Sequence, residues 1–238
     1  MTEHEHSPEA IQARLTAGPR HSYLRDWVYG GIDGAVTTFA IVSAVAGAQL
    51  SAKIVLVLGM ANLLADGFSM AASNYLGTRT EHEVMQHLEG VEQQHIDTAP
   101  EGEREEVRQI FQQKGLAGDT LDHVVEAITA DRERWVRTML SEEYGLPQAI
   151  RSPWLAAMST FSAFVICGLP SLLPFFFGMA HTFWLATALT GGVFFTIGSV
   201  KSRWSPAPWW RSGLSTLAVG LLAAGMAYGA GMLLKGLI

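Results

Sequence analysis

Glu92 and His95 stand three residues apart in HLEGVEQQHID, a spacing that puts both side chains on one helical face and that di-iron carboxylate bundles use to hold metal. Glu103 and Glu106 repeat the interval, and Met139, Glu142 and Glu143 close the same charged region. Carboxylate, imidazole and thioether donors together suit divalent iron, manganese, cobalt or zinc. A glutamate-rich helix needs no purpose beyond solubility, so the clustering of several ligand types is what favours metal. A full di-iron site takes two Glu-x-x-His motifs, and beyond the N-terminal tail this chain has one. The N-terminal EHEH, Glu3 to His6, could also collect metal, but a terminal segment is expected to be disordered unless something ties it down.

A second set of groups lies in apolar surroundings. Asp26 and Asp33 are seven apart and share a face across two helical turns, while Asn62, Asp66 and Met70 in NLLADGFSM are each four apart and form one stripe. An Asp at the centre of a membrane span costs roughly 2.5 to 3.5 kcal/mol on insertion scales, so it needs a partner, a proton or a cation. Asp33 and Asp66 are each followed by Gly, a pairing that often marks turns. A turn at membrane depth, however, frees backbone groups that only protein can satisfy. Counted from the span ends, Asp33 lies about five residues, or about 7 Å, from one surface and Met70 about six residues, or about 9 Å, from the same one. An oxygen and a thioether are thus expected at similar depth.

The elements that must position these groups follow from the charge distribution. Of the 238 residues 49% are hydrophobic and 16% charged. No Asp, Glu, Lys or Arg occurs over the 49 residues Ser152 to Val200 or the 23 residues Ser212 to Leu234. A bilayer crossing takes about 20 apolar residues, so the first run holds two spans and the second one. Tyr29 to Leu50 and Ile54 to Leu76 add two more. The expected fold is an all-α integral membrane protein with five spans, divided as a tail (1–25), spans one and two (26–76), an acidic insert (77–151) and spans three to five (152–238). The N-terminus lacks the basic start and apolar core of a signal peptide. Arg14, Arg20, Arg25, Arg79, Arg151, Lys201, Arg203 and Arg211 all fall on one side of such a topology, which the positive-inside rule makes cytoplasmic, with the C-terminus outside. Cys167 is the single cysteine; it permits no disulfide within the chain and reads as a small packing residue.

The insert holds 16 of the 22 acidic residues and 8 of the 16 basic ones. Apolar residues at three and four spacing predict three helices there. The first continues span two, the second starts near Pro100 and ends at Gly115, and the third runs unbroken from about Asp119 to Gly145.

GGIDGAVTTFAIVSAVAGA, GMANLLADGFSMAASNYLGTRTE and the ending EEYGL resemble the vacuolar iron transporter family, in particular its short bacterial five-span members, over nearly the whole chain from Asp26. The resemblance implies a homodimer in a bacterial inner membrane that exports ferrous iron or manganese from the cytosol in exchange for protons. It further implies a pathway between the two first spans and a glutamate-rich cytoplasmic domain that gathers metal. Asp26 and Asp33 match the family's entrance and pathway acids, and Met70 its pathway methionine. Glu92, Glu103 and Glu106 match its paired glutamates, and His95 stands where a glutamate is expected. The last pair falls near Glu142 and Glu143. At Asn62 plant-type members carry a glutamate, and an amide cannot exchange a proton. Asp66, one turn along the same face, can, and is expected to titrate instead.

These expectations describe a transporter, not an enzyme, with no cofactor beyond its metal cargo and no nucleic-acid partner. A membrane-anchored ferritin-like store or ferroxidase, or a metal-sensing adaptor, would also use the insert. Neither has a use for Asp33 and Asp66.

Overall fold

The structure, a computed structural model, describes residues 5–17, 22–147 and 151–235, and its regular elements are all helical. In chain order they are α1 (Pro8–Ala17), α2 (Leu24–Gly47), α3 (Ala52–Thr98), α4 (Pro100–Gln113), α5 (Gly118–Thr129), α6 (Arg132–Glu142), α7 (Pro153–Gly168), α8 (Leu173–Phe176), α9 (Thr182–Lys201) and α10 (Trp209–Leu234). Among the described residues α2, α3, α7 with its following turn, α9 with its following turn, and α10 are long and apolar enough to cross a membrane. The fold is therefore all-α with five membrane-crossing helices. The chain divides into two compact units: one takes in Gly77–Arg151 with the residues before Ser22, the other Ser22–Leu76 with the residues from Ser152 onward.

In the apolar unit α2 packs against α7, α9 and α10. Glycine explains the closest of these approaches. A Cβ at Gly30 would lie 2.3 Å from the Thr160 carbonyl oxygen, and one at Gly34 would lie 2.2 Å from that of Phe164. Small residues at four spacing let two backbones touch where no hydrophobic force can drive association. Each glycine meets the residue 130 positions later, so α2 and α7 run parallel. Phe39, Val42, Val55, Leu63, Phe164 and Leu172 form one buried cluster and Ala35, Cys167, Phe194 and Ile197 another.

Two polar contacts fix α3 against α2. The Asn62 amide donates to the hydroxyls of Thr37 at 3.1 Å and Thr38 at 3.3 Å, and the Asn74 amide donates to Asp26 at 3.0 Å. The helices are thus antiparallel, and the register brings Gly67, beside Asp66, opposite Asp33. Met70 comes opposite Gly30, three residues or about 4.5 Å along the axis from the level of Asp33. The equal depth expected for Asp33 and Met70 is offset because α2 begins at Leu24 rather than Tyr29.

In the charged unit α4 starts with Pro100 in its first turn beside Glu101 and Glu103, where a missing N–H costs nothing and negative charge meets the positive end of the helix dipole. The expected single third helix is two. Asp131 takes an extended conformation, φ −122° and ψ 116°, and its carboxylate accepts the Arg134 N–H at 2.8 Å. That is an N-cap, which ends one helix and starts the next. The apolar stripe bridges the break, since Leu121 and Val125 of α5 and Trp135, Val136, Met139 and Leu140 of α6 share one core with Ile96 and Val107. Helix α1 was not foreseen, although Ser7-Pro8-Glu9 opens it; the Ala10 N–H donates to the Ser7 hydroxyl at 3.3 Å.

Candidate metal centre and span carboxylates

The charged unit gathers Glu92 and His95 from α3 and Glu103 from α4. One ligand atom from each lies within 4.8 Å of the others. His95 Nδ1 is 3.4 Å from Glu103 Oε1 and 3.8 Å from Glu92 Oε1. Glu92 is 1% exposed and Glu103 5%, and Oε2 of each is buried without a hydrogen-bond partner. Burying a carboxylate oxygen with no donor is costly, and a proton or a cation at these residues would relieve that cost. Glu92 Oε1 is held by the Tyr144 hydroxyl, which donates to it at 2.9 Å.

Arg132 braces the α3 end of this cluster. Its guanidinium grips both oxygens of Asp97 and donates to the Gln93 carbonyl at 2.9 Å, a two-pronged geometry that suits Arg and carboxylate. The hydrogen bond from Arg132 holds the Asp97 carboxyl below its usual range.

Electrostatics follow from the crowding. Burial first, then the charges of Glu106 and Glu92, push the Glu103 carboxyl up from 4.5 to about 7, with His95 opposing. Burial, Glu92 and Glu106 likewise raise Glu143, and burial with the bond to Glu92 raises the Tyr144 phenol. Glu106 and Glu143 thus stand near enough for their charges to reach the cluster, although both are exposed. Glu142 forms an ion pair with Lys114. Met139 is fully buried in the apolar core of this unit. Of EHEH, Glu3 and His4 lie outside the described residues; Glu5 and His6 precede α1 and are exposed.

In the apolar unit Asp26 is 5% exposed. The Asn74 amide that reaches it also lies 2.7 Å from the Thr160 hydroxyl and 3.2 Å from the Ala156 carbonyl of α7. Asp26 therefore sits in a node joining α2, α3 and α7. Asp33 and Asp66 stand level on neighbouring helices, close enough for the charge of one to act on the other. Asp33 also lines a groove of about 670 Å³ with Arg25, Tyr29, Lys201 and Trp204. Asn62 is tied to the threonines of α2, and Met70 is half-buried against the Phe39 and Leu63 cluster.

Tyr144 and Asn74 escaped the sequence reading. Asn74 continues the stripe Asn62, Asp66, Met70 by one more step of four, so its signal was present. Tyr144 lies 52 residues from its partner Glu92, and no local spacing marks it.

Carboxylates kept at span depth suit a membrane transport protein, and the comparisons with known proteins agree with that class. Residues 24–232 match the sequence model of the VIT family. The chain belongs to the VIT family. It is 31% identical over 235 residues to vacuolar iron transporter 1 of Oryza sativa subsp. japonica, covering 95% of this chain and 88% of the relative. Vacuolar iron transporter 2 of the same plant is 29% identical, with 93% and 90% covered. A vacuolar iron transporter of Toxoplasma gondii is 30% identical, with 90% and 74% covered.

Proposed function

We propose that this chain exports divalent transition metal, ferrous iron first and manganese second, from the cytosol in exchange for protons. The observation that carries the metal reading is the trio Glu92, His95 and Glu103, whose two carboxylates each bury an oxygen without a hydrogen-bond partner. The names of its relatives support iron as cargo. An excess of eight negative charges in the insert, from 16 acidic and 8 basic residues, raises the local cation concentration. Glu92, His95, Glu103, Glu106 and Glu143 collect the ion there.

Asp26, Asp33, Asp66 and Met70 then carry the ion through a pathway completed by the first span of a second copy. Metal and protons compete for the same carboxylates, so loading one displaces the other, which couples their movements. The insert and N-terminus face the cytoplasm of a bacterial inner membrane, in keeping with the basic residues beside the spans.

The test is flux into proteoliposomes with an internal pH dye, using divalent Fe, Mn, Co and Zn. Wild-type protein moves metal with opposing proton movement, and Asp33→Asn does not. Flux without a pH change, or unaltered flux in the variant, overturns the proposal.

A further inference from the structure

We propose that His95 makes the Glu92–His95–Glu103 cluster a mixed nitrogen and oxygen site that favours late first-row divalent ions, cobalt and zinc among them, over manganese, magnesium and calcium. This rests on the metal-gathering reading above and concerns which ion that site prefers.

Three features carry it. The first is charge: two buried carboxylates balance one divalent cation, and a neutral imidazole adds a third donor without adding charge. A third carboxylate there would leave a buried excess of negative charge. The second is geometry. Donors at about 2.0 to 2.2 Å from a tetrahedral zinc-sized ion stand roughly 3.3 to 3.6 Å apart, and His95 Nδ1 already lies 3.4 Å from Glu103 Oε1 and 3.8 Å from Glu92 Oε1. Calcium, by contrast, takes 6 to 8 oxygen ligands at about 2.3 to 2.6 Å. The third is donor type. Imidazole suits zinc, iron and nickel, whereas carboxylate and water suit magnesium, calcium and manganese. Tyr144 positions Glu92, because its hydroxyl donates to Oε1 while Oε2 stays without a hydrogen-bond partner. His95, half exposed beside two buried acids, is the group an incoming ion meets first.

The experiment titrates the full-length protein in detergent with MnCl₂, CoCl₂ and ZnCl₂, comparing wild type with His95→Glu. The expected result is a cobalt-to-manganese and zinc-to-manganese affinity ratio that falls about tenfold in His95→Glu, equivalent to about 1.4 kcal/mol. Unchanged helical circular dichroism and size-exclusion elution show that the variant is folded. Pulsed electron paramagnetic resonance of bound Mn²⁺ should show nitrogen coupling in wild type that is lost in His95→Glu, and that loss assigns the signal to His95 rather than to the other seven histidines. An unchanged cobalt-to-manganese ratio, or nitrogen coupling that persists in the variant, overturns the assignment while leaving the transport proposal standing. Loss of flux in an otherwise selective metal binder would overturn transport alone, and absence of any metal binding would overturn both.

Discussion

The amide of Asn62 donates to the hydroxyl of Thr37 at 3.1 Å, and that hydroxyl donates in turn to the carbonyl of Asp33 at 2.9 Å. Asn62 is therefore a tie between α3 and α2. On the proposed function the carboxylate that exchanges protons is Asp66, one turn along and level with Asp33. Asp66→Asn is expected to abolish proton-coupled metal flux in liposomes while metal binding by the insert stays intact. Unchanged coupling would sink this assignment.

The tie itself has a measurable worth. Interhelical hydrogen bonds in membranes average about 0.6 kcal/mol and reach about 1.7. Asn62→Leu should lower the melting temperature in detergent by a corresponding few degrees yet keep coupling, because Asp33 and Asp66 remain. A coupling defect with normal stability would assign Asn62 to the pathway instead.

Gly34 admits no side chain, since its Cβ position lies 2.2 Å from the Phe164 carbonyl oxygen. Gly34→Ala should cost about 1 to 3 kcal/mol or more through overpacking, read as a lower melting temperature and loss of monodisperse protein on size exclusion. Gly192, with nothing within 4 Å of its Cβ position, supplies the control; Gly192→Ala is expected to be nearly neutral.

Glu103 gives the charged unit a pH dependence of definite sign. Its carboxyl titrates near 7 when folded against 4.5 as the reference value, so the folded state holds the extra proton in that window. Through this group the metal-free protein is most stable below about pH 4.5 and loses that contribution as pH rises to about 7. Glu103→Gln should flatten the slope in thermal melts. A slope of the same size in the variant would assign it to Glu143 or another neighbour.

Tyr144→Phe removes the only donor seen on Glu92 Oε1 among the described contacts. Groups that orient ligands typically alter metal affinity by about 10 to 100-fold, and a loss on that scale is expected in calorimetric titration. Affinity equal to wild type would reduce Tyr144 to a packing residue.

Much of this architecture was legible in one sequence because membrane spans announce themselves as long runs without charge. Glu92 and His95 were marked by their spacing and Glu103 by the same interval to Glu106, whereas the meeting of these three across two helices is tertiary. Other features were hidden for identifiable reasons. The break at Asp131 was masked by an apolar period that continues across it into Trp135 and Met139. The level pairing of Asp33 with Asp66 depends on where α2 begins, and its first turn, Leu24 to Trp27, carries Arg25 and Asp26, which hydropathy places outside a span. The Tyr144 contact arises from tertiary folding alone.

Gly30 and Gly34 have a mechanical consequence as well. Backbones pressed together at two successive turns leave α2 and α7 no lateral play, so the pair moves as one stiff strut. The apolar part of α3 meets that strut through side chains: Asn62 and Asn74 on hydroxyl, carboxylate and carbonyl acceptors, and Gly67 against the rings of Phe161 and Phe164. Contacts of that kind can be exchanged for neighbouring ones at small cost. A movement beside Asp33 would therefore cost least along α3, the helix that carries Asp66.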